Sequence, residues 1–272
     1  MKKSVLAVIL GIVVLLVSGL AIIHAAELSG SIQIVGSTSV QPLAEELAQA
    51  FMAKNKNVKI FVQGGGSGAG IKAAMTGTAD IGTSSRELTP EETGIHETTI
   101  AKDGIAIIVN KANSVKDLDL AELQKIYSGA VTNWKQVGGP DMQVVVVNRE
   151  AGSGTRGAFE ELVLAPAKLT NTSKCLIQAS TGAVQQTVAI TKEGIGYISL
   201  GSYDSKAVKA VTLNGVECTE ANILSKKYKV QRPFLMLTKT APAGLVKTFL
   251  DWTLSAEGQK IVAKEYITVN QK

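Results

Sequence analysis

The pattern that most constrains the fold of this chain is an apolar strand that runs into a loop of Gly, Ser and Thr, which then opens a helix. The pattern occurs three times, around residues 32–51, 58–75 and 144–164. The strands are rich in Val and Ile, and after the first loop Leu43, Leu47 and Phe51 recur at helical spacing. Strands that alternate with helices predict an α/β architecture with largely parallel sheets.

The three loops have the chemistry of an anion-binding site. They comprise Gly36–Ser39, Gln63–Gly68 and Asn148–Thr155. The first N–H groups of a helix lack internal partners, and the helix dipole adds partial positive charge there. A single Ser or Thr at such a place is more often only a helix cap. Three such loops in one chain, one of them with Arg149, favour an anion site.

Other uses of Gly-rich and Ser-rich loops fit the sequence poorly. The phosphate-binding loop of nucleotide hydrolases, Gly-x-x-x-x-Gly-Lys-Ser/Thr, is missing from the chain, and the run from Gly64 to Ala69 matches a dinucleotide-binding motif only loosely. The Gly-x-Ser-x-Gly motif of many hydrolases is also missing. His96, the one histidine after residue 26, lies in a polar stretch with nothing beside it to suggest a catalytic triad. We expect no enzymatic activity, and an exported phosphatase is the weaker alternative.

The N-terminus has the features of an export signal. Lys2 and Lys3 precede an uncharged apolar run over residues 5–23, and Ala25 and Ala26 offer a cleavage point. The run approaches a membrane-spanning length, so residues 1–26 are predicted to be a signal peptide or an N-terminal anchor. Either way the protein is expected at the periplasmic or extracellular face of the membrane.

Charge and cysteine content exclude several classes of partner. The net charge is +5, of which the two leader lysines contribute two, so nucleic acid is not an expected partner. Cys175 and Cys218 either form a disulfide or remain two thiols. Because His24 lies in the predicted leader, Cys175, Cys218 and His96 are too few for a usual four-ligand structural zinc site, and we expect no metal and no cofactor.

An ordered set of motifs gives the chain a family resemblance. The set contains Gly36–Ser39, Gly66–Gly68, Asp80–Arg86, Ile126–Gly129, Asn133-Trp134 and Arg149–Thr155. The element Arg-x-x-Gly-Ser-Gly-Thr is the most specific of them. Over essentially all of residues 27–272 the sequence resembles the phosphate-binding proteins of bacterial and archaeal phosphate-specific ABC transporters.

This resemblance implies the type II two-lobed periplasmic binding protein fold, with the ligand cleft between the lobes. Lobe one is expected to comprise residues 27–109 plus 233–272, and lobe two residues 110–232. The implied function is that of a monomeric receptor that captures inorganic phosphate and delivers it to the membrane permease of an ABC importer. Its chain would be long enough to give each lobe a core of its own.

The resemblance also implies a set of ligand-binding residues. Arg149 would make charge-assisted contacts to two phosphate oxygens, and the others would donate from hydroxyl and backbone N–H groups. These others are Thr38, Ser39, Ser67, Ser85, Ser153, Gly154 and Thr155.

One position departs from the pattern of the family. Where well-known members have an Asp that accepts a hydrogen bond from the protonated phosphate and repels sulfate, this chain has Ser85. A Ser hydroxyl both donates and accepts, so phosphate remains feasible and a receptor for sulfate becomes an alternative. Arg86 is expected either to add positive charge near the site or to form a surface salt bridge, for example with Glu87 or Glu91. Asp80 is expected to cap a strand end or to serve as another acceptor.

Overall fold

The computed structural model describes residues 27–269 and confirms the α/β architecture. The predicted leader, residues 1–26, lies outside the described residues. Between residues 27 and 269, no helix combines the length and apolar character needed to cross a membrane.

Eleven strands and eight α-helices are described in this range. The strands are β1 (Ser29–Gly36), β2 (Asn57–Gly64), β3 (Ile81–Ser84), β4 (His96–Val109), β5 (Asp117–Leu118), β6 (Val145–Arg149), β7 (Leu176–Gln178), β8 (Gly194–Ser199), β9 (Lys209–Ala210), β10 (Thr212–Leu213) and β11 (Gln231–Thr238). The helices are α1 (Gln41–Lys54), α2 (Ser67–Thr76), α3 (Leu120–Ser128), α4 (Gly154–Phe159), α5 (Thr181–Ile190), α6 (Glu220–Leu224), α7 (Gly244–Leu254) and α8 (Ala256–Val262). Helix α4 continues as a π-helix over Glu160–Leu164, and 3-10 turns cover Trp134–Val137, Ala165–Ala167 and Leu200–Ser202.

The main sheet has the strand order β2-β1-β3-β11-β4-β8-β6-β7, and β9 pairs with β4. Strand β1 is parallel to β2 and β3, and β6 is parallel to β7 and β8. These two parallel groups are joined by the antiparallel pair of β4 and β11 in the middle. The carboxyl ends of both parallel groups carry the Gly, Ser and Thr loops.

Two large hydrophobic cores lie on either side of that central pair. The first core draws its buried residues from 32–101 and 234–266, and the second draws them from 105–230 together with Ile267. Strand β4 contributes Ala101 to the first core and Ile105 to the second. The chain thus passes from one core to the other along β4 and returns along β11.

The predicted helical face of α1 is the face that packs into the first core. Leu43, Leu47 and Phe51 are all buried there, and the Phe51 ring meets Phe249 edge-on with centroids 5.3 Å apart. Aromatic pairs in this arrangement stabilise a core beyond the area that they bury.

Strand β4 begins at His96, although the apolar run in its sequence covers only the second half, Gly104–Val109. The second half is buried throughout and is therefore rich in apolar residues. The first half is polar and partly exposed, so its sequence lacks the apolar run that marks a buried strand. Pairing with β11 from Thr238 to Gln231 is what extends the strand.

A buried ion pair joins β4 to β11 where the chain passes between the cores. The guanidinium of Arg232 donates from Nε and Nη2 to Asp103 Oδ2, at 3.1 and 2.9 Å, and Ser199 Oγ donates to Asp103 Oδ1 at 2.9 Å. Burial raises the pKa of Asp103 and lowers the pKa of Arg232. Such a pair adds little net stability but makes the loss of either partner costly.

The two cysteines are separate thiols in this fold. Cys218 is buried in the second core, and Cys175 is half-buried at the edge of the same core. Of the two alternatives that the sequence leaves open, the structure has the pair of thiols.

Candidate functional site

The polar loops of the two halves of the sheet meet in one buried cluster. Thr38 and Ser39 follow β1, Ser67 begins α2 and Ser85 follows β3, all on the side of the first core. Arg149 ends β6, and Gly154 and Thr155 begin α4, on the side of the second core. The residues predicted from the sequence are therefore brought together, although some of them, such as Ser39 and Thr155, lie 116 positions apart in the chain.

Arg149 is the charged centre of this cluster. Its guanidinium donates from Nη2 to Thr38 Oγ1 at 3.1 Å and from Nη1 to Thr181 Oγ1 at 3.2 Å. Both oxygens of Glu150 accept from the same guanidinium, each at 2.8 Å. The Arg149 side chain is only 2% exposed, so its charge acts in a largely desolvated setting.

A second set of hydroxyls links the two sides directly. Ser39 Oγ lies 2.9 Å from Thr155 Oγ1 and 2.7 Å from Thr181 Oγ1, both within hydrogen-bond distance. The backbone N–H of Thr181 donates to Thr38 Oγ1 at 3.3 Å. All of these side chains except Thr38 are buried. Because each hydroxyl carries a hydrogen as well as lone pairs, the group can turn several donors toward an anion.

A third set of hydroxyls lies between the β1, α2 and β3 loops. Ser37 Oγ donates to Ser85 Oγ at 2.9 Å, and Ser85 Oγ lies 3.4 Å from Ser67 Oγ. The backbone N–H of Ser85 donates to Ser67 Oγ at 3.1 Å. Ser37, Ser67 and Ser85 are all buried.

Glycines allow the two sides to approach this closely. A Cβ atom on Gly154 would overlap with Ser67 Oγ and would lie 2.8 Å from Ser85 Oγ. The backbone N–H of Gly68 donates across to the carbonyl of Gly152 at 2.9 Å. Gly66, with φ of 88°, turns the chain into α2 in a conformation that residues with a side chain rarely adopt.

Ser153 differs from the other predicted residues because its hydroxyl caps a helix. Its hydroxyl accepts from the backbone N–H of Arg156 at 3.2 Å and so caps α4. Arg156 in turn donates to the carbonyl of Arg149 at 3.1 Å and to Glu160 at 2.8 Å. Ser153 therefore holds the start of α4 in place, and its hydroxyl is engaged by its own helix.

Three residues of the cluster received no role from the sequence. Ser37 lies inside the first loop motif, and Glu150 lies beside Arg149. Thr181 begins α5 directly after β7, and Ser180 caps that helix by accepting from Ala183 N. The run from Ala179 to Gly182 is thus a fourth loop of the same kind. The strand before it, β7, is too short and exposed to give the apolar run that precedes the other three loops.

Arg86 and Asp80, for each of which the sequence allowed two roles, make structural contacts. Arg86 forms a bidentate salt bridge with Glu92, with both nitrogen–oxygen distances 2.7 Å, rather than with Glu87 or Glu91. Asp80 accepts from the backbone N–H of Gln33 at 2.7 Å, beside the first strand. The Arg86 hydrogen bond lowers the pKa of Glu92.

The architecture and the polar cluster together show the class of protein to which this chain belongs. Residues 24–257 match the model of the PBP superfamily domain. Two cores joined by a pair of crossing strands, with a polar cluster between them, form the two-lobed periplasmic binding fold, and the cluster is the candidate ligand site in its cleft.

Comparison with individual proteins shows the family within this class. The chain is 34% identical over 248 residues to the phosphate-binding protein PstS of Bacillus subtilis, covering 89% of this chain and 81% of the relative. A phosphate ABC transporter substrate-binding protein of Clostridium perfringens, solved with bound phosphate, is 46% identical with a TM-score of 0.84, covering 88% of this chain and 99% of that one. An ABC-type phosphate transport receptor of Vibrio cholerae is 37% identical with a TM-score of 0.72, covering 87% and 99%. The chain belongs to the PstS family of phosphate-binding proteins.

Proposed function

We propose that this protein captures inorganic phosphate in the cleft between its two lobes and delivers it to the membrane permease of an ABC importer. The observation that carries the proposal is the contact of buried Arg149 with the hydroxyl of Thr38 from the other lobe, within a cluster whose remaining donors are neutral. The names of the Bacillus subtilis, Clostridium perfringens and Vibrio cholerae relatives support phosphate as the ligand.

The chemistry of the cluster suits a small tetrahedral dianion. One guanidinium supplies positive charge and a planar pair of donors, and the hydroxyls supply donors in other directions. Glu150 already pairs with Arg149, which fixes the orientation of the guanidinium before a ligand arrives. A site with its donors already oriented loses less entropy on binding.

The division of the donors between the lobes would couple binding to closure. Thr38, Ser39 and Ser67 belong to one side, and Arg149 and Thr155 belong to the other. A ligand that bonds to both sides favours the closed arrangement, since only there are all contacts made.

We place the two crossings between the lobes where the cores meet. Core membership changes between Ala101 and Ile105 on β4 and between Val230 and Phe234 at β11. The first crossing in this proposal lies several residues before position 109, the boundary expected from the sequence. The return lies at about the expected position, residues 232–233.

Export and assembly follow from the same proposal. The receptor would act outside the cytoplasm, with residues 1–26 either removed or retained as an anchor, and would dock on the permease as a monomer. Mass spectrometry of the protein from the exported fraction distinguishes removal from retention, and light scattering gives the oligomeric state.

A phosphatase is the rival that the cluster supports least. The hydroxyls of Ser39, Ser67 and Ser85 bond to other hydroxyls and backbone groups, whereas His96, the histidine of the described range, is exposed at the start of β4. A Ser nucleophile needs a base within hydrogen-bond reach. We therefore propose binding without turnover.

Calorimetric titration of the purified, ligand-stripped protein with inorganic phosphate tests the proposal. We expect one-to-one binding, and the same preparation should release no product from a chromogenic phosphate ester. Absence of phosphate binding, or turnover of the ester that disappears in Ser39→Ala or Ser67→Ala, would contradict it.

A further inference from the structure

The hydroxyls of Ser37, Ser85 and Ser67 form a chain whose direction is fixed at one end. Ser37 Oγ accepts from the backbone N–H groups of Ser39, at 3.2 Å, and Val40, at 3.4 Å. A hydroxyl has two lone pairs and one hydrogen, so both acceptor positions of Ser37 are used. Its hydrogen is the one donated to Ser85 Oγ.

Ser85 and Ser67 share the next hydrogen bond in the chain. Ser85 Oγ uses one lone pair for Ser37, and Ser67 Oγ uses one lone pair for the backbone N–H of Ser85. Each therefore has one lone pair and one hydrogen left, and either can donate to the other across their 3.4 Å separation. Whichever of them donates, one hydroxyl then presents a hydrogen to its surroundings and the other presents a lone pair.

The pair lies where the two sides of the cluster meet, and no described carboxylate hydrogen-bonds to either hydroxyl. Both serines lie against Gly154 of the opposite side. The carboxylate that belongs to the cluster, that of Glu150, has both oxygens engaged by Arg149. The acceptor that the Ser67–Ser85 pair offers is consequently neutral.

We infer that the Ser67–Ser85 pair sets the ligand specificity of the site, with Ser37 as the residue that positions it. Through its lone pair, the pair accepts a hydrogen bond from the protonated oxygen of a tetrahedral oxyanion, and through its hydrogen it donates to a neighbouring oxygen. The site therefore prefers phosphate but also takes sulfate, which has no proton to give. The inference rests on the proposed function and adds its specificity.

The expected preference for phosphate over sulfate depends on the hydrogen bond between Ser67 and Ser85, which sulfate binding would break. To present two hydrogens to sulfate, the pair must give up the hydrogen bond between Ser67 and Ser85. That bond is long and neutral, so its loss is comparable to a single ordinary hydrogen bond. We expect phosphate to bind on the order of ten- to a hundredfold more tightly than sulfate. A carboxylate in place of Ser85 would instead repel sulfate by charge.

Calorimetric titration with inorganic phosphate and with sodium sulfate, each also in competition with the other, tests this inference. In the wild-type protein both anions should bind at one shared site. In Ser85→Asp, sulfate affinity should fall by about a hundredfold or more while phosphate binding remains, because the carboxylate requires a ligand proton. In Ser85→Ala, both affinities should fall and their ratio should approach one.

Two further variants separate specificity from folding. Ser37→Ala should also lower the ratio, because Ser85 Oγ then loses the hydrogen bond that positions it beside Ser67. Ser225→Ala, which removes an exposed hydroxyl that bonds to the Ala221 carbonyl, should leave the ratio unchanged. Melting temperatures of all variants show whether they are folded.

The possible outcomes separate a failure of this specificity assignment from a failure of the proposed phosphate-binding function. Phosphate binding with sulfate more than a thousandfold weaker in the wild type, or an unchanged ratio in both Ser85→Ala and Ser37→Ala, would overturn the specificity assignment alone. Failure of the wild-type protein to bind phosphate would overturn the proposed function itself.

Discussion

Arg149 Nη2 donates a hydrogen bond of 3.1 Å to the hydroxyl of Thr38, a residue 111 positions earlier in the chain. Arg149 belongs to the second parallel group of strands, and Thr38 belongs to the loop after the first strand. The bond therefore spans the cleft and ties the one buried cation of the cluster to the opposite lobe.

Replacement of Arg149 by Ala should greatly weaken phosphate binding. The variant removes the positive charge and every donor of the guanidinium, and loss of one partner from a buried charged contact costs about 2–5 kcal/mol or more. We expect phosphate affinity to fall by at least a hundredfold, measured by calorimetry. Arg149→Lys keeps the charge but not the planar fork and should recover only part of the loss.

A methyl group at Gly154 should hold the cleft open. The added Cβ would overlap with Ser67 Oγ and lie 2.8 Å from both Ser67 Cβ and Ser85 Oγ, which belong to the opposite side of the cleft. We expect Gly154→Ala to lower phosphate affinity by tenfold or more. X-ray scattering with saturating phosphate should give a larger radius of gyration than for the wild type.

Gly152→Ala is the matched control for this substitution. Nothing lies within 4 Å of a Cβ at Gly152, although the residue is in the same loop. Its phosphate affinity and radius of gyration should stay close to those of the wild type. Equal effects of the two substitutions would contradict the steric explanation.

Removal of the Thr181 hydroxyl should weaken the ligand site without unfolding the protein. Thr181 Oγ1 accepts from Arg149 Nη1 and lies 2.7 Å from Ser39 Oγ. Thr181→Val keeps the shape of the side chain but leaves these buried partners short of a bond, at a cost of about 1–3 kcal/mol. We expect phosphate affinity to fall by about tenfold in a calorimetric titration. Thr187→Val, on the same helix, should bind phosphate normally.

The two cysteines should differ in reactivity. Burial raises the pKa of Cys218 from 9.0 to about 12, so near neutral pH its thiol is protonated and unreactive. Cys175 is half-buried and separate from it. Iodoacetamide should therefore add one group to the native protein and two to the unfolded protein without reductant, measured by mass. No adduct in the unfolded protein would indicate a disulfide instead.

The same thiol gives a pH dependence of stability. The pKa of Cys218 is higher in the folded state than its ordinary value of 9.0, so the folded state holds the proton more tightly. Its contribution to stability is complete below pH 9 and declines as the pH rises toward about 12. Denaturant unfolding of the wild type and of Cys218→Ala should show a smaller decline in this range for the variant.

Local sequence patterns were enough to predict the kind of fold and most residues of the candidate site. Apolar residues at strand and helix spacing gave the alternation of elements, and Gly, Ser and Thr at the helix starts marked the loops. These signals are local, because the spacing of a few residues decides which face of an element is buried and which groups lie at its end.

Which of these loops meet, and which side chains pair, depends on the packing of the whole chain. Pairing of β4 with β11 brings residues more than a hundred positions apart into one cluster, and it adds Thr181 from a loop that follows a short, exposed strand. It also assigns Arg86 to Glu92 and sets the direction of the hydroxyl chain from Ser37. No local pattern encodes these relations, since they depend on distances between side chains that only the packing of the whole chain fixes.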